Sequence, residues 1–294
     1  MIDIRVPETD GELDEWRRDR LAVLPNERAP SVEDLRSGPP ERRLAVAYLD
    51  GRLAGAGLTA RSDTGGAFVQ PRVLPGQRGR GVGEALLRAL AVQAADAGHT
   101  EAGAHVEELG SLGFAERFGF RETDRQVEQV RAIRPDEPAP ASLPGIDVVP
   151  LAGRPDLAER LFEELAREAV RDFALERPVE IDAETWKTEW LRDTSDCFVA
   201  LADGVIVGLA GYEGDADRPS RAEHALTAVR RDLRRRGIAR TLKQMTIRHA
   251  AERGLAELYT WTQQGNEAMR AVNRSLGYVD RGITITVRGP VPVA

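Results

Sequence analysis

The chain has 294 residues, a formal net charge of −7 and 41% hydrophobic residues. This length suits two domains of ordinary size, and the apolar content can supply a core for each. The acidic balance argues against a protein that coats nucleic acid or an anionic membrane, and the single cysteine, Cys197, excludes an internal disulfide and a CxxC metal site.

The N-terminal residues have no apolar leader segment, and no apolar run reaches the roughly 18 residues that a transmembrane helix needs. The sequence therefore predicts a cytoplasmic protein. Cys197 lies in an apolar run that reads as a buried strand, so we expect a core thiol rather than a nucleophile.

The first half predicts a mixture of helices and strands. Residues 12–36 have helical apolar spacing, which Pro25 and Pro30 divide into two short helices. Asp50-Gly51 is typical of a tight hairpin turn between two strands. The other elements follow from periodicity: strands at 44–49, 52–59, 67–73, 102–106 and 124–133, and helices from 82 to Gly98 and at 111–118.

Residues 135–145 contain four prolines and no apolar periodicity, which indicates a semi-rigid linker. We therefore predict an N-terminal domain over 1–134 and a C-terminal domain over 146–294.

The second half repeats the same order. Asp203-Gly204 again predicts a hairpin turn. The predicted strands are 146–149, 198–202, 205–211, 222–229, 255–262 and 283–287, and the predicted helices are 156–172, 183–191, 238 to Gly254 and 266–276.

Three landmarks recur in one order at separations of about 155 residues. Asp50-Gly51 matches Asp203-Gly204, Gly81 matches Gly237, and Gly119-Phe120 matches Gly277-Tyr278. Agreement between landmarks of different chemistry indicates a tandem duplication of a mixed α/β domain.

Each copy contains a basic glycine turn between a strand and a helix. The turns are Arg78-Gly79-Arg80-Gly81-Val82-Gly83, after Val73, and Arg234-Arg235-Arg236-Gly237-Ile238-Ala239, after Val229. A turn of this kind directs unpaired N–H groups and a helix N-terminus at one point, which predicts a site for pyrophosphate or another anion. The arginine density of residues 230–240 leaves nucleic-acid binding as an alternative, although no aromatic residue is interleaved there.

These turns, the order of elements and the closing Leu276-Gly277-Tyr278 resemble the GCN5-related N-acetyltransferase (GNAT) superfamily, present twice. The resemblance implies, for each domain, a splayed, mostly antiparallel sheet flanked by helices. It also implies acetyl-CoA (or CoA) as cofactor, with the pyrophosphate on the glycine turn and the pantetheine arm between the splayed strands. The reaction would be direct attack of an amine on the thioester, which needs a base for the amine proton and a donor for the leaving thiolate.

Glu223 lies where members of this superfamily often place a glutamate base. His224, on the opposite face of the same strand, could serve instead. Asn273 stands where the superfamily frequently has a tyrosine acid, and an amide can donate a hydrogen bond but not a proton. Asn266 is expected to cap the helix or to hold pantetheine.

The first copy lacks these groups. It has Ala67 at the position that we align with Glu223, and Glu108 and Ala115 in place of Asn266 and Asn273. We therefore predict that the C-terminal domain is the catalytic one and acts on the amine of a small molecule, with no metal, nucleic acid or membrane involved. A CoA-binding sensor or scaffold without turnover is the alternative, and the oligomeric state stays open.

Overall fold

The computed structural model describes every residue of the chain except 28, 63–64, 174–179, 192, 216–217 and 293–294. The chain forms two compact units. Unit 1 contains residues 1–125 together with 284–294, and unit 2 contains residues 126–283.

Unit 1 is a sheet with helices on both faces. Its strands are β1 (Ile2–Arg5), β2 (Arg43–Leu49), β3 (Arg52–Arg61), β4 (Ala67–Val73), β5 (Glu101–Val106) and the start of β6 (Arg121–Ala132). Its helices are α1 (Asp10–Val23), α2 (Val32–Arg36), α3 (Val82–Asp96) and α4 (Leu112–Arg117). β1 to β4 pair antiparallel, and β4 pairs with β5 in parallel.

Alternation along the strands gives unit 1 two cores. Leu13 and Trp16 of α1 pack with Val46 on one face of the sheet. The apolar side of α3, with Leu86 and Leu90, packs on the other face. Thr9 begins α1 with a capping box, which satisfies N–H groups that the helix leaves unpaired.

Unit 2 repeats this arrangement. Its strands are β7 (Asp147–Pro150), β8 (Cys197–Ala202), β9 (Val205–Asp215), β10 (Arg218–His224), β11 (Ala228–Val229), β12 (Glu257–Gln263) and the start of β13 (Val279–Pro290). Its helices are α5 (Pro155–Leu161), α6 (Arg167–Phe173), α7 (Ala183–Thr185), α8 (Ile238–Glu252) and α9 (Glu267–Ser275). π-helical turns, Phe162–Ala166 and Trp186–Trp190, follow α5 and α7. Trp186 and the free thiol of Cys197 are buried in one core of this unit, and burial raises the pKa of the thiol to about 12, as expected for a structural cysteine.

The paired strands confirm the predicted mixed fold and both hairpin turns, since Asp50 and Asp203 have the positive φ that such turns require. β1 has no counterpart in the prediction, because four residues are too short for a clear periodicity.

The units also differ from the predicted boundaries by one strand each. In unit 1, β5 pairs with residues 285–290 of β13, and in unit 2, β12 pairs with residues 126–132 of β6. Each unit is thus completed by the last strand of the other copy's sequence.

Candidate active site

The two glycine turns have the same backbone geometry. Gly81 precedes α3 with φ 84° and ψ −8°, and Gly237 precedes α8 with φ 86° and ψ −8°. In both turns an arginine folds back on the preceding strand: Arg78 Nε donates to the Val73 carbonyl at 3.2 Å, and Arg234 Nε donates to the Val229 carbonyl at 3.0 Å. Each turn therefore presents the N-terminus of a 15-residue helix, the arrangement that the sequence predicted.

One turn residue differs in its strain. Gly79 has φ 71°, and the equivalent Arg235 has φ 65°. This left-handed region suits glycine and is unfavourable for a residue with a Cβ. The first turn is therefore relaxed at a position where the second is strained.

The arginines of the turns have different partners. Arg78 forms a two-fold ion pair with Glu108, at 2.5 and 3.2 Å. In unit 2, Asp172 of α6 pairs with both Arg231 and Arg234. Among the residues described around the second turn, Arg235, Arg236 and Arg240 are exposed and form no ion pair. This pairing leaves a basic patch of small extent, suited to a pyrophosphate group.

Unit 1 contains a cavity of about 500 Å³ beside its turn. Its walls include Arg78 and Gly81 of the turn, His105 of β5 and Phe114 of α4. The cavity exists because β4 and β5 pair only as far as Phe68 and Gly103 and then separate. The Gln70 side chain bridges the gap, since its amide donates to and accepts from the backbone of His105 at 2.8 Å.

A charged cluster closes the inner end of this cavity. Arg72 binds both carboxylate oxygens of Glu107, at 2.6 and 2.7 Å, and Glu27 lies 3.9 Å from the same guanidinium. Burial lowers the pKa of the neighbouring His105. Both acids of this cluster are paired with arginine, so neither offers a free carboxylate to a ligand in this cleft.

The corresponding strands of unit 2 also separate. β10 and β12 pair through three residues, and Glu223, opposite Tyr259, is the last of them. β10 then ends, and pairing with β9 resumes at Ala228 after one extra residue relative to the partner strand. The single strand predicted over 222–229 is therefore wrong. It is two strands with a bulge between them, a feature that often lies beside active sites.

The bulge also corrects the alignment of the two copies. Glu223 pairs with Tyr259 as Phe68 pairs with Gly103, so Phe68, and not Ala67, is the counterpart of Glu223. Neither Phe68 nor Ala67 carries a carboxylate, so unit 1 still lacks an acid at the position of Glu223.

Glu223 is half-buried, and the Tyr259 hydroxyl donates to its carboxylate at 3.2 Å. Burial, with the nearby Glu223 charge, raises the pKa of Tyr259, so this hydroxyl stays protonated. Glu213 pairs with Glu223 across β9 and β10, which puts the two carboxylates on the same face of the sheet. The sequence analysis missed Glu213, because strand pairing is needed to recognise it.

His224 points away from this carboxylate into a buried position. Its Nδ1 lies 2.6 Å from the Tyr278 hydroxyl and its Nε2 lies 2.6 Å from the Thr246 hydroxyl. Burial holds the pKa of this imidazole well below its usual range. Both ring nitrogens are engaged, so His224 lies in a hydrogen-bonded core cluster, whereas Glu223 is half-buried.

The two asparagines have different environments. Asn266 caps α9, because its side-chain oxygen accepts from Met269 N at 3.2 Å. Asn273 is fully buried and donates to Gln129 at 2.8 Å and to Thr262 at 3.2 Å. Its Oδ1 has no hydrogen-bond partner in the described part of the chain. An unpaired buried acceptor fits a donor group of a bound ligand.

The residues therefore fit acetyl-CoA in two respects: a helix N-terminus for phosphate and a gap between strands for an extended arm. Within the described ranges no group of three or more His, Cys, Asp or Glu could hold a metal ion. Over the same residues, no helix is both long and apolar enough to cross a bilayer.

Comparison with known proteins agrees with this geometry. The model of the Acetyltransferase (GNAT) family matches residues 10–120 and 159–278, one region in each unit. A mycothiol acetyltransferase of Nocardia farcinica is 30% identical over 264 residues, covering 84% of this chain and 82% of that protein. A mycothiol acetyltransferase of Thermomonospora curvata is 26% identical, covering 94% and 90%.

Solved structures share the fold. A GCN5-related N-acetyltransferase from Sphaerobacter thermophilus has a TM-score of 0.79 at 20% identity, over 99% of this chain and 96% of the other. A tandem GNAT protein from the clavulanic acid biosynthesis pathway has a TM-score of 0.75 at 20% identity, over 99% of both chains. The chain therefore belongs to the acetyltransferase (GNAT) family, with the family's domain present twice, and is an acetyl-CoA-dependent N-acetyltransferase.

Proposed function

We propose that unit 2 catalyses acetyl transfer to the amine of a small molecule, with Glu223 as the general base. The observation that supports this is the half-buried Glu223 carboxylate at the point where β10 and β12 separate. Unit 1 has Phe68 there, so it binds a CoA-type ligand without turnover.

Acetyl-CoA supplies the activated acetyl group when it is bound. The second turn would hold its pyrophosphate through backbone N–H groups around Gly237 and through the unpaired Arg235 and Arg236. The unpartnered Oδ1 of Asn273 would accept from an amide N–H of the pantetheine arm.

Glu223 accepts the proton that the amine loses as it attacks. Tyr259 orients this carboxylate by its hydrogen bond. A positioned base of this kind contributes about 10²–10⁴-fold to the rate. Asn273 has no proton to give, so the acid of this site is another group.

The names of the relatives indicate the chemical class of the acceptor substrate. Three that are named mycothiol acetyltransferases are 26–30% identical over 84–94% of this chain, which favours a small-molecule amine of the kind that those enzymes acetylate. We also place the enzyme in the cytoplasm, where a free cysteine such as Cys197 stays reduced.

Glu223→Gln tests the proposal, with Glu213→Gln as the matched control. Glu223→Gln should lower kcat by about 10²–10⁴-fold at neutral pH while acetyl-CoA affinity is kept. Glu213→Gln should keep most of the activity. Full activity in Glu223→Gln at every pH would exclude this base, and loss only in Glu213→Gln would move the role to the neighbouring strand.

An assay of CoA release distinguishes acetyl transfer from the alternative, a CoA sensor or scaffold without turnover. It requires acetyl-CoA binding with no release of CoA in the presence of any amine. Amine-dependent CoA release from the unmodified chain would exclude it.

A further inference from the structure

Four cavity-lining positions of unit 1 are replaced by polar residues in unit 2. In unit 1 they are apolar and line the cavity beside the turn: Val69, Leu87, Ala115 and Phe120. Strand register, helix numbering and the shared closing Gly119 and Gly277 align them with His224, Lys243, Asn273 and Tyr278. We call these four residues of unit 2 the polar floor.

The polar floor is built into the unit and is not a solvated surface. Each of its four members is at most 3% exposed. His224 joins the Tyr278 hydroxyl to Thr246, and the Lys243 ammonium lies 5.5 Å from the centre of the Tyr278 ring. Burying four polar side chains where the sister unit uses apolar ones is costly unless each has a hydrogen-bond partner, and the Oδ1 of Asn273 has none among the described residues.

Lys243 carries the positive charge of this floor. The groups near its ammonium are His224 from β10 and Tyr278 after α9, and neither is an acid. Arg131 of β6, the other charge that acts on His224, is paired with Glu137 at 2.8 Å. The lysine charge also helps to keep His224 neutral, by lowering the pKa of the imidazole. Among the described residues no carboxylate pairs with Lys243, and an ammonium in this position fits a ligand atom that becomes negative.

We propose that Lys243 is the catalytic acid of unit 2, which donates its proton to the sulfur that leaves during acetyl transfer. The inference rests on the proposed function, because it assumes that acetyl transfer occurs in unit 2. It assigns to Lys243 the role that Asn273 cannot perform.

The step balances as follows. The amine nitrogen forms a bond to the acetyl carbon, and the carbon–sulfur bond breaks with its electron pair on sulfur. Glu223 takes one proton from the nitrogen, and Lys243 gives one proton to the sulfur, so the products are an amide and the thiol of CoA. Proton return from Glu223 to Lys243 through solvent restores the enzyme.

The surroundings favour this direction of transfer. Burial lowers the pKa of Lys243 to about 7, so the ammonium gives up its proton readily near neutral pH.

The test uses the full chain and CoA itself, and follows the ultraviolet absorbance of the CoA thiolate with pH. The Lys243 ammonium and a CoA thiolate would each stabilise the charged form of the other, so CoA bound to unit 2 should gain thiolate absorbance at a lower pH than free CoA. Lys243→Met, of similar size, should remove the shift, and Lys243→Arg should keep most of it. Leu87→Met, the matched change in unit 1, should leave the shift unchanged.

Lys243→Met removes a buried charge, so we expect it to fold at least as stably as the unmodified chain. An equal thiol pKa in the unmodified chain and in Lys243→Met, with CoA bound to unit 2 in both, would overturn the inference and leave Glu223 untouched. CoA binding that Gly237→Glu does not reduce would overturn the proposed function itself.

Discussion

The two clefts of this chain share a turn and differ in what lies beyond it. Gly81 and Gly237 have nearly the same φ and ψ, and each begins a helix of the same length. Beyond the first turn, Gln70 bridges the separated strands and Arg72 neutralises Glu107. Beyond the second lie a half-buried carboxylate, Glu223, and the buried polar floor.

The difference shows which part of a duplicated site can change without loss of the other. The phosphate turn depends on backbone conformation, which two very different sequences, Arg78-Gly79-Arg80 and Arg234-Arg235-Arg236, both support. The proposed chemistry depends on a single side chain, Glu223, which has Phe68 as its counterpart in unit 1. The geometry of the turn is therefore kept in a unit that lacks this carboxylate.

The largest expected effect tests the division of labour. Gly237→Glu adds a Cβ at positive φ and a negative charge to the second turn, and should raise the KM for acetyl-CoA by roughly 10³-fold, since charge-assisted hydrogen bonds of about 1.5–3 kcal/mol each are lost. Gly81→Glu should leave the reaction intact and remove only CoA binding to unit 1, measured by calorimetry. The opposite pattern would exchange the roles of the two units.

A buried acid in unit 1 should make the stability of this unit depend on pH. Asp19 of α1 is 1% exposed, and burial raises its pKa from 3.8 to about 7. The folded state therefore holds a proton that the unfolded state releases, so stability should fall as pH rises from about 4 to about 7.

Asp19→Asn should abolish this dependence and add about 2–4 kcal/mol to the free energy of unfolding above pH 7. Urea unfolding at several pH values, followed by the fluorescence of Trp16, measures it, since the other tryptophans, Trp186, Trp190 and Trp261, belong to unit 2. Asp14→Asn, a change of a partly exposed carboxylate on the same helix, is the control. An unchanged pH slope in Asp19→Asn would show that Asp19 is ionised in the folded state.

A smaller effect should come from the strained turn residue. Arg235→Gly should stabilise unit 2 by about 0.5–1 kcal/mol, because relief of left-handed strain exceeds the extra freedom that glycine has when unfolded. Gly79→Arg should destabilise unit 1 by a similar amount. Thermal unfolding without CoA measures both, and equal stabilities for both pairs would show that the turn conformation carries no strain.

The smallest expected effect concerns the mouth of the first cleft. Glu108 forms an ion pair with Arg78, and both side chains are about 40% exposed. Glu108→Gln should free this guanidinium for phosphate and strengthen CoA binding to unit 1 by roughly two- to five-fold at low salt. Calorimetry in the Gly237→Glu background isolates unit 1, and Glu116→Gln on α4 is the control. Weaker binding in Glu108→Gln would mean that Glu108 itself contacts the ligand.

The sequence predicted the elements that have strong local signals. Asp50-Gly51, the glycine turns and the long helices depend on short-range chemistry, and the structure has all of them. The alignment of Glu223 was wrong by one residue, because the bulge after His224 is visible only in strand pairing. The sequence also could not predict that β6 and β13 are exchanged between the units. The two strands are similar, and their sequences do not indicate which sheet each one joins.

Candidate site residues divide in the same way. Glu223, Asn266 and Asn273 could be selected by position relative to a motif. Glu213 could be found only from the register of β9 and β10. Lys243 could be found only by comparing the residues that line the unit 1 cavity with their counterparts in unit 2. A lysine on the apolar side of α8 was the available signal, and helical periodicity alone treats such a residue as a mismatch rather than a clue.

The completion of unit 1 by residues 284–294 has a consequence for how the chain is made. The ribosome synthesises β5 early and its partner, residues 285–290 of β13, among the last. The edge of β5 therefore stays unpaired until almost the whole chain has been synthesised, although the rest of unit 1 leaves the ribosome much earlier. A cut between the two copies would separate β5 from residues 285–290 and β12 from residues 126–132, so neither sheet would keep the strand that completes it in the full chain.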